Sequence, residues 1–65
     1  MKKLTLEENK EILYEWFLKS KNLLISKGVT NFNGLDLMGR ILCRESYDVV
    51  GNQEYLKIKR EVLNV

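Results

Sequence analysis

The 65-residue chain carries 11 Lys and Arg against 9 Asp and Glu, with one cysteine and neither histidine nor proline. A domain of this size buries only about 60% of its unfolded surface, so its stability depends on a disulfide, a metal, a partner chain or very good helix packing. Cys43 by itself excludes an internal disulfide, and a metal site would need carboxylates alone, so we expect no metal and no cofactor. The net charge of +2 is too small to indicate nucleic-acid binding by itself.

The N-terminal segment, MKKLTLEENK, turns acidic after two lysines instead of continuing into the apolar part of a signal peptide. No apolar run approaches the roughly 20 residues needed to cross a bilayer. We therefore expect one small domain over residues 1–65, located in the cytoplasm and without membrane contact. Short, motif-free chains rich in Lys, Asn, Ile and Leu are often encoded by phages or mobile elements of low-GC bacteria, and such an origin is an expectation by association alone.

The two ends of a long first helix are marked in the sequence. Thr5 and Glu8 match the S/T-x-x-E capping box, in which each side chain bonds a backbone amide at the helix start. Gly28 follows Lys27 and suits the glycine position just beyond a helix. The pattern predicts a helix over about 6–27.

Two shorter helices are predicted after it. Leu35, Met38 and Leu42 share a helical face, which indicates a second helix over about 34–46, and Gly39 weakens this helix unless a neighbour crosses closely there. We expect the segment after it to be a connection whose two valines fill the core. The last segment alternates as a strand would but is rich in helix formers, so we predict a third helix over about 52–63. The predicted fold class is all-α, a small three-helix domain.

The first helix has more apolar surface than a three-helix core needs. One stripe on the helical wheel faces the expected core; it consists of Ile12, Leu13, Trp16, Phe17, Leu23 and Leu24. A second apolar surface, the Tyr14 flank, lies on the opposite side and consists of Tyr14, Leu18 and Ile25. It packs either within the same chain or against another chain, and we favour an interaction face. An antiparallel dimer through the first helices is the simplest arrangement because one patch serves both subunits.

Basic residues on the second and third helices suggest another surface. Arg40 is placed to pair with Asp36 at i, i+4 spacing, and Arg44 continues the same side. The candidate cations are Arg40, Arg44, Lys57, Lys59 and Arg60. They would contact an acidic protein, a phosphate or a nucleic-acid backbone if both helices turned these sides outward, although a solvated charged surface is the commoner outcome.

The function classes follow from these surfaces. The sequence has no catalytic, metal-ligand or phosphate-binding motif and no histidine to activate Cys43, so we expect no enzyme. We predict a small intracellular protein-interaction module, a regulator or inhibitor that binds a larger protein through an apolar helix face and self-associates, with a dimer favoured. The alternatives are a nucleic-acid-binding protein that uses the basic patch, and an oligomer that sequesters a small anionic ligand such as a nucleotide.

Overall fold

A computed structural model describes residues 3–64 of the chain, and these residues form four α-helices. The helices are α1, Leu6–Ser26; α2, Asn33–Leu42; α3, Arg44–Val50; and α4, Asn52–Leu63. The all-α prediction is confirmed, whereas the predicted number of three helices is wrong. Met1, Lys2 and Val65, which belong to the predicted domain over residues 1–65, lie outside the described residues.

α1 has the ends that the sequence predicts. The Glu8 amide donates to the Thr5 hydroxyl at 3.2 Å, and the Thr5 amide donates to the Glu8 carboxylate at 2.9 Å. This capping box satisfies amides that have no partner inside the helix. Beyond the other end, Gly28 has a φ of +78°, in the left-handed region that favours glycine, and its amide donates to the Ile25 carbonyl at 2.9 Å.

The predicted second helix over about 34–46 is divided at Cys43, where φ is −113° and ψ is 39°. The break redirects α3 so that the buried Ser46 hydroxyl reaches α1 and donates to the Asn9 side-chain oxygen at 2.9 Å. The predicted connection after the second helix is therefore mostly α3. Of its two valines, Val50 packs against the core, but Val49 is half exposed, so the expectation for Val49 is wrong.

α2 runs antiparallel to α1 along one of its sides. At one end Ile12 lines a cleft together with Ile41, and at the other end Leu23 lines a groove together with Met38. Because the residue numbers increase along α1 while they decrease along α2, the two helix directions are opposite. Within residues 3–64, no helix combines the length and the apolar character needed to cross a membrane.

α4 runs parallel to α1 along its other side, and the ambiguous last segment is thus a helix rather than a strand. The Lys10 ammonium lies 3.9 Å from a carboxylate oxygen of Glu54 near the start of α4. Near the end of α4, the Lys21 ammonium donates to the Val62 carbonyl at 3.0 Å. α4 ends at Asn64, which adopts a left-handed conformation that asparagine tolerates well.

The core lies where α1, α2 and α4 meet, and it is small. Its buried apolar residues are Leu13, Phe17, Leu35, Tyr55, Ile58 and Leu63. The Tyr55 hydroxyl donates to the Asp36 carbonyl of α2 at 2.6 Å, and burial raises the pKa of Tyr55 well above its usual range. Four residues of the predicted α1 stripe do contribute to the core, two of them only partly buried. The other two, Ile12 and Leu23, are exposed because they lie at the outer edge of α1, so their assignment to the core is wrong.

Candidate protein-interaction surface

α2 turns its polar side toward the rest of the protein. The Arg40 guanidinium donates to one carboxylate oxygen of Asp36 at 3.0 Å, and the Lys59 ammonium of α4 lies 3.6 Å from the other oxygen. The same guanidinium lies over two aromatic rings, 5.6 Å from the centroid of Tyr47 and 5.9 Å from that of Tyr55. These contacts hold the charged residues of α2 against α3 and α4.

Gly39 explains how α2 lies with this side inward. A Cβ atom at Gly39 would overlap the Tyr55 hydroxyl and would lie 3.1 Å from Cζ3 of Trp16. Neighbours therefore do cross closely at this glycine, since only a residue without a side chain admits both aromatic groups. Leu35 is the one large apolar residue of α2 that is buried together with Gly39.

Exposed apolar residues of the two helices lie beside one another at two places on the outer side, and we call this set of residues the α1–α2 strip. It consists of Ile12 and Leu23 of α1 and of Leu37, Met38, Ile41 and Leu42 of α2. The α2 members are 49% to 65% exposed, and none of the six residues is charged. The groove beside Leu23 and Met38 and the cleft beside Ile12 and Ile41 connect the two helices. The strip therefore follows about 16 Å of α1, which is eleven residues at 1.5 Å each.

Sequence reasoning missed this surface, although one signal for it was present. The sequence shows that the apolar residues of α2 share a face, but not whether that face meets the protein or the solvent. Gly39 lies between Leu35 and Asp36 on the wheel, opposite Leu37 and Ile41. A glycine inside a helix often marks the side of closest approach to a neighbour, so this position indicated that the side between Leu35 and Asp36 is buried and that Leu37 and Ile41 face outward.

The Tyr14 flank, which the sequence singled out, lies beside α4 and is incompletely covered by it. The Tyr14 hydroxyl donates to the Glu61 carboxylate of α4, and this hydrogen bond raises the pKa of Tyr14 above its ordinary value. The exposed fractions are 38% for Tyr14, 50% for Leu18 and 49% for Ile25. The chain thus covers part of this flank itself, and the use of the remainder as an interaction face stays a prediction.

The five predicted cations do not form one patch. Arg40 and Lys59 both pair with Asp36, as described above. Arg44 does not continue the side of Arg40, because the helix breaks at Cys43; it lies in α3, 4.0 Å from Asp48. The other two cations, Lys57 and Arg60, line a groove on α4 that also contains Glu54 and Glu61. Carboxylates accompany the cations at these places, which weakens the attraction for an anion. Lys59 and Arg60 also line a pocket with Asn33 and Leu56, and its lining contains no carboxylate.

Cys43 lies half buried at the junction of α2 and α3, and burial raises the pKa of its thiol above the ordinary value of 9.0. A raised pKa lowers the fraction of the nucleophilic thiolate at neutral pH. Among residues 3–64, no group of three or more His, Cys, Asp or Glu side chains is arranged to hold a metal ion. Phe17 is fully buried and Trp16 is partly buried, as expected for residues of the α1 stripe that faces the core.

The fold and these surfaces define a small all-α domain with an exposed apolar strip on one side. No family model, no curated protein and no solved structure matches the chain.

Proposed function

We propose that this chain is a small intracellular protein-interaction module, a regulator or inhibitor that acts by binding a protein surface rather than by chemistry. The observation that supports it is the orientation of α2, whose apolar face points away from the chain's own core. Leucine and isoleucine side chains on such a face cost free energy in water, and that cost is removed when a partner covers them.

The size of the α1–α2 strip supports the same proposal. At their exposed fractions, the six side chains present on the order of 600 Å² to solvent, which is the upper end of the range for the largest apolar patch on an ordinary monomer. Patches of this kind on small proteins are typical of protein-binding sites. A partner protein would offer an apolar groove or helix face to this strip.

The binding of nucleic acid or of a small anion remains a prediction with less support. Arg40 and Lys59 are engaged with Asp36, and Arg44 lies on another part of the surface from Lys57 and Arg60. Phosphate recognition benefits from several cations that converge on one point. Of these five residues, Arg60 shares one groove with Lys57 and another pocket with Lys59, but Lys59 is paired with Asp36 and the groove of Lys57 contains two glutamates.

Capture from a lysate of the native host tests the proposal. The bait pair is wild type and a Leu37→Lys/Ile41→Lys double variant, and both residues are exposed enough for the fold to tolerate lysine. Lys57→Glu serves as a control, because Lys57 is also exposed but lies outside the strip. We expect at least one host protein that wild type and Lys57→Glu both capture and the double variant loses. Identical capture by all three baits would contradict a role for the strip.

A further inference from the structure

We propose that the α1–α2 strip is covered by the same strip of a second copy, giving a two-fold symmetric dimer with antiparallel α2 helices. The inference rests on the proposed function, because it names a second copy as the occupant of the same surface in the purified chain; a host protein that binds the strip would displace that copy. It assigns self-association to a different face from the Tyr14 flank that the sequence favoured.

The area of the strip fits what a stable dimer needs. One copy presents on the order of 600 Å² of apolar side chain, against the roughly 800 Å² per partner that a standard specific interface buries. Two facing copies would therefore bury about 1,200 Å² from these side chains alone, and the polar rim would add to it. With six apolar residues buried among residues 3–64, the chain gains proportionally more from this second core than a large protein would.

The charge distribution favours a symmetric partner. Near a two-fold axis each residue meets its own counterpart, so a charge at the centre of the patch would meet a like charge. The α2 members of the strip, which lie nearest the axis, are uncharged, whereas the exposed Lys19 lies on α1 between Ile12 and Leu23, away from it. The cleft at its Ile12 end is bordered by Arg44 and Glu45, whereas the groove at its Leu23 end is bordered by Ser20 and Asn31. With α2 helices antiparallel, the charged end of one copy lies against the uncharged polar end of the other.

The shape of the strip also suits this direction. The groove at the Leu23 end has walls formed by the apolar side chains Leu23, Leu24, Leu35 and Met38. At the opposite end of α2, Ile41 and Leu42 project into solvent with about two thirds of each residue exposed, at 65% and 64%. An antiparallel pair of α2 helices brings these projecting side chains of one copy to the groove of the other.

Light scattering on a size-exclusion column tests the dimer with the purified chain. We expect wild type to have twice the 7.7 kDa mass of one chain at micromolar concentration. Ile41→Lys should have the mass of one chain with an unchanged helical circular dichroism spectrum. Leu18→Lys, a change at a half-exposed leucine on the Tyr14 flank, should remain a dimer. A monomeric wild type, or dissociation caused by Leu18→Lys and not by Ile41→Lys, would overturn the proposal.

A crosslinking measurement decides the case if Ile41→Lys fails to fold. In a Cys43→Ser background, Met38→Cys lies near the middle of the α2 face and should form an intermolecular disulfide on mild oxidation, whereas Leu18→Cys should not. Equal crosslinking of both variants would overturn the proposed interface. If the purified chain is monomeric but the strip variants still lose a captured host protein, the dimer is wrong and the proposed function stands. If the strip variants change neither mass nor capture, both proposals are wrong.

Discussion

Two residues, Gly39 and Tyr55, determine how closely α2 approaches α4 and therefore which side of α2 faces solvent. The Tyr55 hydroxyl occupies the space that a side chain at position 39 would fill. It also donates a hydrogen bond to the backbone carbonyl of Asp36, one turn earlier in α2. One glycine and one buried hydroxyl thus fix the orientation of a ten-residue helix. Their importance is testable by substitution.

Gly39→Ala should destabilise the protein. Alanine is the better helix former by about 1 kcal/mol, but its Cβ would overlap Tyr55 and press on Trp16, so the expected net loss is about 1–3 kcal/mol. Urea unfolding followed by circular dichroism gives the free energy. Gly34→Ala is the matched control in the same helix, because a Cβ there meets nothing within 4 Å; it should be neutral or slightly stabilising. A Gly39→Ala variant as stable as wild type would show that α2 does not pack this closely.

The buried Tyr55 also predicts a loss of stability in alkali. Burial raises its pKa in the folded state above the ordinary value of 10.0, which the unfolded chain retains. Above pH 10 the unfolded chain releases a proton that the folded chain keeps, so the unfolded state binds fewer protons and stability decreases as the pH rises. The contribution of protonated Tyr55 to the free energy of unfolding should be fully present below pH 10. Above pH 10 this contribution should fall by up to about 1.4 kcal/mol per pH unit.

The measurement compares wild type with Tyr55→Phe, which retains the ring but cannot ionise. The difference in unfolding free energy between the two proteins should be constant up to about pH 9 and should shrink above pH 10. If the difference in unfolding free energy stays constant from about pH 8 to pH 11, the loss of stability in alkali is not due to Tyr55.

At the scale of elements, α3 exists as a separate helix because of what it contacts. The Ser46 hydroxyl donates to Asn9 of α1, and the Tyr47 ring packs edge to face against the Tyr55 ring of α4 with centroids 4.8 Å apart. A helix that continued straight through Cys43 would place Ser46 and Tyr47 elsewhere and would lose both contacts. This hydrogen bond also gives the buried Ser46 hydroxyl an acceptor and the Asn9 side-chain oxygen a donor.

Ser46→Ala should therefore weaken the attachment of α3 to α1. The substitution leaves the buried Asn9 side-chain oxygen without its donor, at an expected cost of about 1–3 kcal/mol in unfolding free energy. Ser26→Ala is the control, since the Ser26 hydroxyl is exposed and bonds only the nearby Leu23 carbonyl; its effect should stay within about 0.5 kcal/mol. Equal effects of the two substitutions in chemical denaturation would contradict the structural role of the buried pair.

At the scale of the whole molecule, the distribution of apolar residues is unusual. Thirteen large hydrophobic residues are exposed among residues 3–64, against six that form the buried core. Six of the exposed ones make up the α1–α2 strip. A second core between two copies would place these residues in an environment that the single chain does not provide.

Unfolding of a dimer depends on protein concentration, which gives a prediction separate from the measured mass. If two strips cover each other, the wild-type Tm should rise with protein concentration, because association stabilises the folded state by mass action. Leu37→Lys should remove this dependence, while Leu18→Lys should keep it. A wild-type Tm that is independent of concentration over two orders of magnitude would contradict a dimer coupled to folding.

Features that depend on residues close together in the chain could be predicted from the sequence. The Thr5 and Glu8 capping box, the end of α1 before Gly28, the helical state of the last segment and the pairing of Arg40 with Asp36 are local interactions, and all are found in the structure. They were predictable because their partners lie within four residues of one another.

The break at Cys43 and the direction in which α2 faces could not be predicted from the sequence, because they involve long-range contacts. The break brings Ser46 to Asn9, 37 positions earlier in the chain, and the orientation of α2 depends on Tyr55, 16 positions after Gly39. Amphipathic periodicity identifies the apolar side of a helix but not what covers it, so Ile12 and Leu23 were assigned to the core although they are exposed. The candidate surface of this protein follows from those long-range contacts.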